Sequence, residues 1–136
     1  MRCVMNFKIY YTGDKIEKFF IEAIKEYEKR LSRYCKIELL QFKNVNQLLK
    51  KLPEKTYKIL ISVNGTCISS EQLADKINTL GLSGISDASI IVGADIPHNE
   101  TLAISSMDMD LGLQTTVLFE QIYRAYRILN NQPYHK

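Results

Sequence analysis

A chain of 136 residues, 46% of them apolar, is long enough to bury a core without disulfides or metals and predicts one domain over 1–136. Its net charge of +3 permits nucleic-acid binding without requiring it. No apolar run reaches the roughly 18 residues of a membrane span and no signal pattern opens the chain, so a soluble, cytoplasmic protein with no membrane partner is expected.

The pattern then alternates. Residues 3–11 read as a strand, punctuated by Thr12-Gly13-Asp14. Ile16, Phe19, Phe20, Ala23, Ile24, Tyr27 and Leu31 repeat at helical spacing, with Thr12 or Asp14 as the expected cap. A second strand is expected over 36–42, a short helix over 45–52 stopped by Pro53, and a nearly continuously apolar third strand over 58–63, turned by Asn64-Gly65. Ser69 and Gln72 have capping-box spacing and open a helix that Gly81 and Gly84 should end. A buried strand over 88–92, a loop over 93–101, a short strand over 102–107 and a helix over 113–129 complete the chain, with Asn131 as a left-handed terminator. This order predicts an α/β fold, a mostly parallel sheet with helices on both faces. Ligands of such sheets bind beyond the carboxyl ends of the strands.

Cys3, Cys35 and Cys67 are too widely spaced for a paired metal or redox motif and read as buried reduced thiols. Asp95, His98, Glu100, Asp108 and Asp110 form an acidic cluster whose spacing matches no strong metal site, so no metal is expected. There is no P-loop, dinucleotide fingerprint or Ser-His-Asp order. The C-terminal segment is more informative. After Arg124 and Arg127 come Pro133, Tyr134, His135 and Lys136, which supply a ring, an imidazole and a cation in three consecutive residues. Aromatic rings stack on unpaired RNA bases, and arginines position phosphates.

Four stretches together resemble one family: residues 26–39, residues 65–74 with Gly-then-Ser-Ser-Glu, residues 102–107, similar to Leu-Ser-Phe-Ser-Lys-Met, and residues 120–136 ending Pro-Tyr-His-Lys. They are similar to the ribosomal RNA large subunit methyltransferase H family, SPOUT-class α/β-knot enzymes that methylate N3 of a pseudouridine in 23S rRNA. The resemblance implies a Rossmann-like sheet closed by a C-terminal trefoil knot, a homodimer, and S-adenosyl-L-methionine as cofactor. It also implies ribosomal RNA or the ribosome as partner. Carried over, Ile61, Gly93, Ala94, Ile104, Ser105, Ser106 and Met107 hold the cofactor. Tyr134, His135, Lys136 and Arg124 become catalytic, and Arg124, Arg127 and Lys136 meet RNA. The chain departs from the family where Gly93-Ala94-Asp95-Ile96-Pro97-His98 replaces a Gly-Gly-x-x-Gly loop, where Asp110-Leu111-Gly112 replaces a Pro-His-Gln-like segment, and where Thr115 stands at a common arginine position. These departures leave a second reading, a retargeted knotted relative that binds RNA or another partner without catalysis.

Overall fold

The structure, a computed structural model, describes residues 4–134. The elements are β1 (Asn6–Thr12), α1 (Lys18–Leu31), β2 (Lys36–Phe42), α2 (Val45–Lys51), β3 (Tyr57–Cys67), α3 (Ser70–Leu82), β4 (Asp87–Val92), β5 (Glu100–Ala103) and α4 (Leu111–Leu129). The five strands form one sheet in the order β2-β1-β4-β3-β5, with every neighbouring pair parallel. The expected α/β architecture is therefore present.

Strand alternation sorts the apolar residues into two layers. Phe7, Ile9, Tyr11, Ile59, Ile61, Ala88, Ile90 and Val92 join the larger core, together with Ile24 of α1, Ile77 of α3 and Phe119 of α4. Helix α4 packs against both α1 and α3. Tyr10, Leu60 and Ile91 face the other way and meet Leu48 of α2 and Ile96. Helices thus cover both faces, but among the described residues α2 is the only helix whose buried residue packs on the second one. Phe119 is fully buried, and burial of such a ring contributes about 1.5–3 kcal/mol.

Several boundaries differ from the sequence expectation. Helix α1 starts at Lys18 with Glu17 as an N-cap that makes no side-chain bond, so neither Thr12 nor Asp14 caps it. Asn64-Gly65 does not end β3. Ile61 and Thr66 both align with Leu102, so the chain bulges out between them and then rejoins β5. A Cβ on Gly65 would lie 2.7 Å from the Leu102 carbonyl carbon, which explains a glycine inside the bulge. Strand β5 covers Glu100–Ala103 rather than 102–107, because its limits are set by pairing with β3. Helix α3 runs through Gly81 to Leu82. Helix α4 begins two residues early, where the Asp110 side chain accepts from the Leu113 amide. Its end is as expected, with Asn131 at φ 52. Of the thiols, Cys35 is buried, Cys67 is exposed against expectation, and Cys3 lies outside the described residues.

The head of α4 is seated between two strand ends. The Leu111 Cδ1 atom is 3.0 Å from the position a Cβ would take on Gly13, after β1, and 3.2 Å from that on Gly93, after β4. Residues 104–110 therefore carry the chain from the edge strand β5 back to the middle of the sheet.

Candidate cofactor cavity and C-terminal tail

Beyond the carboxyl end of β3 lies a cavity of about 260 Å³. Ile61 of β3, Ile104 after β5, and Leu118 of α4 contribute apolar walls, and Ser69, Ser70 and Gln121 contribute polar groups. The capping box that starts α3 fixes this rim: the Ser69 hydroxyl accepts from the Gln72 amide, and the Gln72 side chain accepts from the Ser69 amide. The Ser70 hydroxyl donates to Gln121 Oε1 at 2.5 Å, which ties α3 to α4 over the cavity. Apolar walls with a few fixed polar groups, at the strand edge where parallel sheets bind ligands, suit a small ligand with both apolar and polar parts. A larger crevice of about 510 Å³ lies at the opposite, amino-terminal end of β1, between the C-terminal ends of α3 and α4, and includes Val4, Tyr34 and Leu82.

Of the seven residues carried over for the cofactor, Ile61 and Ile104 line the cavity. Ser105, Ser106 and Met107 follow directly, with the Met107 amide donating to the Ser105 hydroxyl at 3.0 Å and Met107 exposed. Gly93 and Ala94 do not line it. Gly93 is pressed on β1, and Ala94 packs with the second core. The rest of that loop is organised by its own histidine, whose Nδ1 lies 2.6 Å from the Ile96 carbonyl oxygen and whose Nε2 lies 2.9 Å from the Thr101 hydroxyl. Thr115 is fully buried, and its hydroxyl donates to the Leu111 carbonyl at 2.8 Å. An arginine there would have to bury its guanidinium, so this departure agrees with the packing around it.

The tail folds back on α4. The Tyr134 ring meets the Tyr123 ring edge-on at 4.9 Å between centroids, and the Arg124 guanidinium lies 4.8 Å from the Tyr134 centroid. Arg124 Nη2 also pairs with Glu120 Oε1 at 3.0 Å. Burial, then the Glu120 carboxylate and a hydrogen bond with Tyr27, push the Tyr134 phenol up to about 12. Arg127 is engaged with the tail itself. Its Nη1 donates to the Tyr34 hydroxyl at 3.3 Å and to Gln132 Oε1 at 3.2 Å, and Nη2 donates to the Pro133 carbonyl at 3.0 Å. Tyr34 also bonds Gln132. His135 and Lys136 lie outside the described residues. Sequence reasoning missed Leu118, Gln121 and Ser70 at the cavity, and Tyr27, Tyr34 and Tyr123 around the tail. The capping box at Ser69 was the one local signal near the cavity, and it marked a helix start rather than a wall.

These features define an α/β protein with an all-parallel sheet, a cavity at its carboxyl edge and an arginine-anchored terminal peptide. A family described as "Predicted SPOUT methyltransferase" matches residues 5–135. The chain is 56% identical over 133 residues to "Ribosomal RNA large subunit methyltransferase H 1" of Thermoanaerobacter sp. (strain X514), with 97% of this chain and 100% of the relative covered. The same figures hold for "Ribosomal RNA large subunit methyltransferase H 2" of Thermoanaerobacter pseudethanolicus. "Ribosomal RNA large subunit methyltransferase H" of Clostridium novyi is 35% identical over 159 residues, again covering 97% of this chain and 100% of the relative. That alignment is longer than this chain, so the Clostridium relative carries segments absent here. The chain belongs to the SPOUT methyltransferase family.

Proposed function

We propose that this protein transfers a methyl group from S-adenosylmethionine to N3 of a pseudouridine in large-subunit ribosomal RNA. It does so in the cytoplasm, as a knotted homodimer. The observation that carries the reading is the cavity at the carboxyl edge of the sheet, in a chain matched almost end to end by methyltransferases of that name. Ile61, Ile104 and Leu118 would hold the apolar parts of the cofactor, and Ser69, Ser70 and Gln121 its polar groups. Bound there, the cofactor supplies an electrophilic methyl group on a sulfonium.

The chain's own residues do the rest. Tyr134 offers a ring for base stacking, already held at a fixed tilt by Tyr123. A uracil-type N3 must lose its proton before it can act as a nucleophile, and a neighbouring cation favours the anion. Arg124 and Lys136 are the candidate cations, and His135 is the candidate base. Residues 104–110, which lead back to the middle of the sheet, are the segment a trefoil knot would thread.

The helix geometry argues for two copies. Val117, Leu118 and Gln121 face the cavity, whereas Glu120, Tyr123, Arg124 and Arg127 face the tail. At 3.6 residues per turn these two flanks of α4 are roughly a third of a turn apart. The tail and the cavity of one copy thus lie on different flanks of α4, which supports a site completed by the tail of a second copy. Phe19 at 58%, Met107 at 75% and Leu113 at 37% exposure give the start of α4 and its neighbours the apolar surface that pairing would cover. Calorimetric titration with S-adenosylmethionine and transfer of labelled methyl to ribosomes from a strain lacking the modification test the reading. No heat at millimolar cofactor, or a monomer by light scattering, would sink it. Ribosome binding without methyl transfer would favour the retargeted relative instead.

A further inference from the structure

One segment of the chain carries a strong positive excess on the face opposite the cavity. Between positions 43 and 58 stand Lys43, Lys50, Lys51, Lys55 and Lys58 against a single acid, Glu54. That is a larger positive excess than the +3 of the whole chain, so the remaining sequence is on balance slightly acidic. The tail and the cofactor cavity lie elsewhere, on the face covered by α1, α3 and α4.

The segment wraps α2, on the other face of the sheet. Leu48 is buried against Tyr10, Leu60 and Ile91, with Val45 and Leu52 beside it, so α2 is fixed by its apolar side. Lys43, Lys50, Lys51 and Lys55 are exposed, and none forms an ion pair among the described residues. Lys58 is different, since its ammonium donates to the Glu54 and Thr56 carbonyls. Lys50 and Lys51 occupy the last turn of α2, where the helix dipole favours cations. That stabilisation accounts for one lysine at the helix end, but not for Lys43 before the helix or Lys55 after it. Beside Lys55 a crevice of about 200 Å³ adds Lys8, over the buried hydroxyl pair of Thr56 and Ser89 at 2.8 Å, with Asp87 the acid in its lining. Four exposed ammonium groups with no ion pair among the described residues, on and beside a helix anchored by its apolar side, make a surface for a polyanion, because each neutralised phosphate releases condensed counterions.

We infer that the ledge of Lys43, Lys50, Lys51 and Lys55 is a second docking surface for ribosomal RNA, which grips phosphates away from the reacting base. This inference rests on the ribosomal RNA reading. The ledge lies across the sheet from the cavity, so it adds affinity and orientation rather than chemistry. A long or folded RNA can reach both faces, whereas a short oligonucleotide cannot.

The test compares K50Q/K51Q/K55Q with K15Q/K18Q/K25Q, an equal charge change at exposed positions on and before α1. Binding to purified ribosomes is measured by co-sedimentation across a potassium chloride series, and cofactor binding by calorimetry. Three lost phosphate contacts should flatten the slope of log affinity against log salt by about 2–3. Between 50 and 200 mM salt, the unaltered protein should then lose roughly 20–40-fold more affinity than the α2 variant. The α1 variant should follow the unaltered protein, and all three should bind cofactor alike. Equal slopes for all three proteins would overturn the inference, as would equal flattening in both variants, which would signify net charge alone. Because binding is read directly, the ledge is judged even if methyl transfer fails. A failure of cofactor binding in the unaltered protein would indict the methyltransferase reading instead.

Discussion

Arg127 separates two roles that sequence alone merges. The resemblance makes it an RNA contact, yet its guanidinium is spent on Tyr34, Gln132 and Pro133, and its Nε is buried without a hydrogen-bond partner. Hydrogen bonds to charged groups contribute about 1.5–3 kcal/mol each when well formed. Here two of the three exceed 3.1 Å, and the buried Nε carries a desolvation cost of about 1 kcal/mol or more. The net contribution to holding the tail is then about 1–2 kcal/mol, or roughly a fivefold to thirtyfold rise in the open tail when it is lost. Arg127→Ala should lower Tm by about 3–8 °C for a domain of this size. It should also speed carboxypeptidase removal of the last residues by about tenfold, and reduce methyl transfer while cofactor binding stays intact. The conservative change decides between the roles. Lysine carries the charge but not the fork, so Arg127→Lys should release the tail as alanine does. The salt slope of ribosome binding should stay unchanged in both variants. If lysine restores activity, and alanine alone flattens that slope by about 0.7–0.9, Arg127 grips phosphate and the tethering argument is wrong.

Other changes address the frame and the site. Gly93 has φ +88, and a Cβ there would sit 1.9 Å from the Thr12 carbonyl oxygen, so Gly93→Ala should cost about 3 kcal/mol or more, read as a lower urea midpoint. An unchanged midpoint would mean that β1 and β4 are not held as described. Burial pushes the Cys35 thiol up to about 12 from an ordinary value of 9.0, so the folded state keeps a proton that the unfolded chain releases. Stability from this group is complete below pH 9 and falls as pH rises toward 12, and the decline in urea midpoint between pH 9 and 10.5 should shrink in Cys35→Ala. In a Cys3→Ser background, Cys67 should react with a thiol reagent at once and Cys35 only on unfolding, and equal rates would contradict their burial. Tyr134→Ala, or removal of His135 and Lys136, should leave a cooperative fold and abolish methyl transfer, and retained activity in both would remove the tail from the site.

Local signals were legible where one stretch of chain decides the outcome. The second strand has the bounds its apolar pattern predicts, the Ser69 capping box opens α3, and Asn131 closes α4. Elements defined by a distant partner were not. Asn64-Gly65 reads as a turn because both residues favour one, but Thr66 regains its alignment with Leu102 and the strand continues. Strand β5 is limited by β3, so the apolar pattern of 102–107 placed it two residues late. The tail shows the same limit in the site. Its aromatic and cationic composition marked it as special, but Arg127 reaches Tyr34 across 93 positions of sequence, and no spacing rule predicts that pairing.

That long-range pairing bears on how the two flanks of α4 work together. Buried Phe119 and Ile122 hold the helix in the core between α1 and α3, so the cavity wall at Leu118 and the tail bed at Tyr123 are turned by one rigid rod. A helix that rotated by one residue would move both by about 100° and lose both at once. Phe119→Ala should thus cost about 3–5 kcal/mol and couple the two losses, weakening cofactor binding and freeing the tail together. Loss of one without the other in this variant would show that cavity and tail are independently supported. The case for α4 as the common support of a shared active site would then fail.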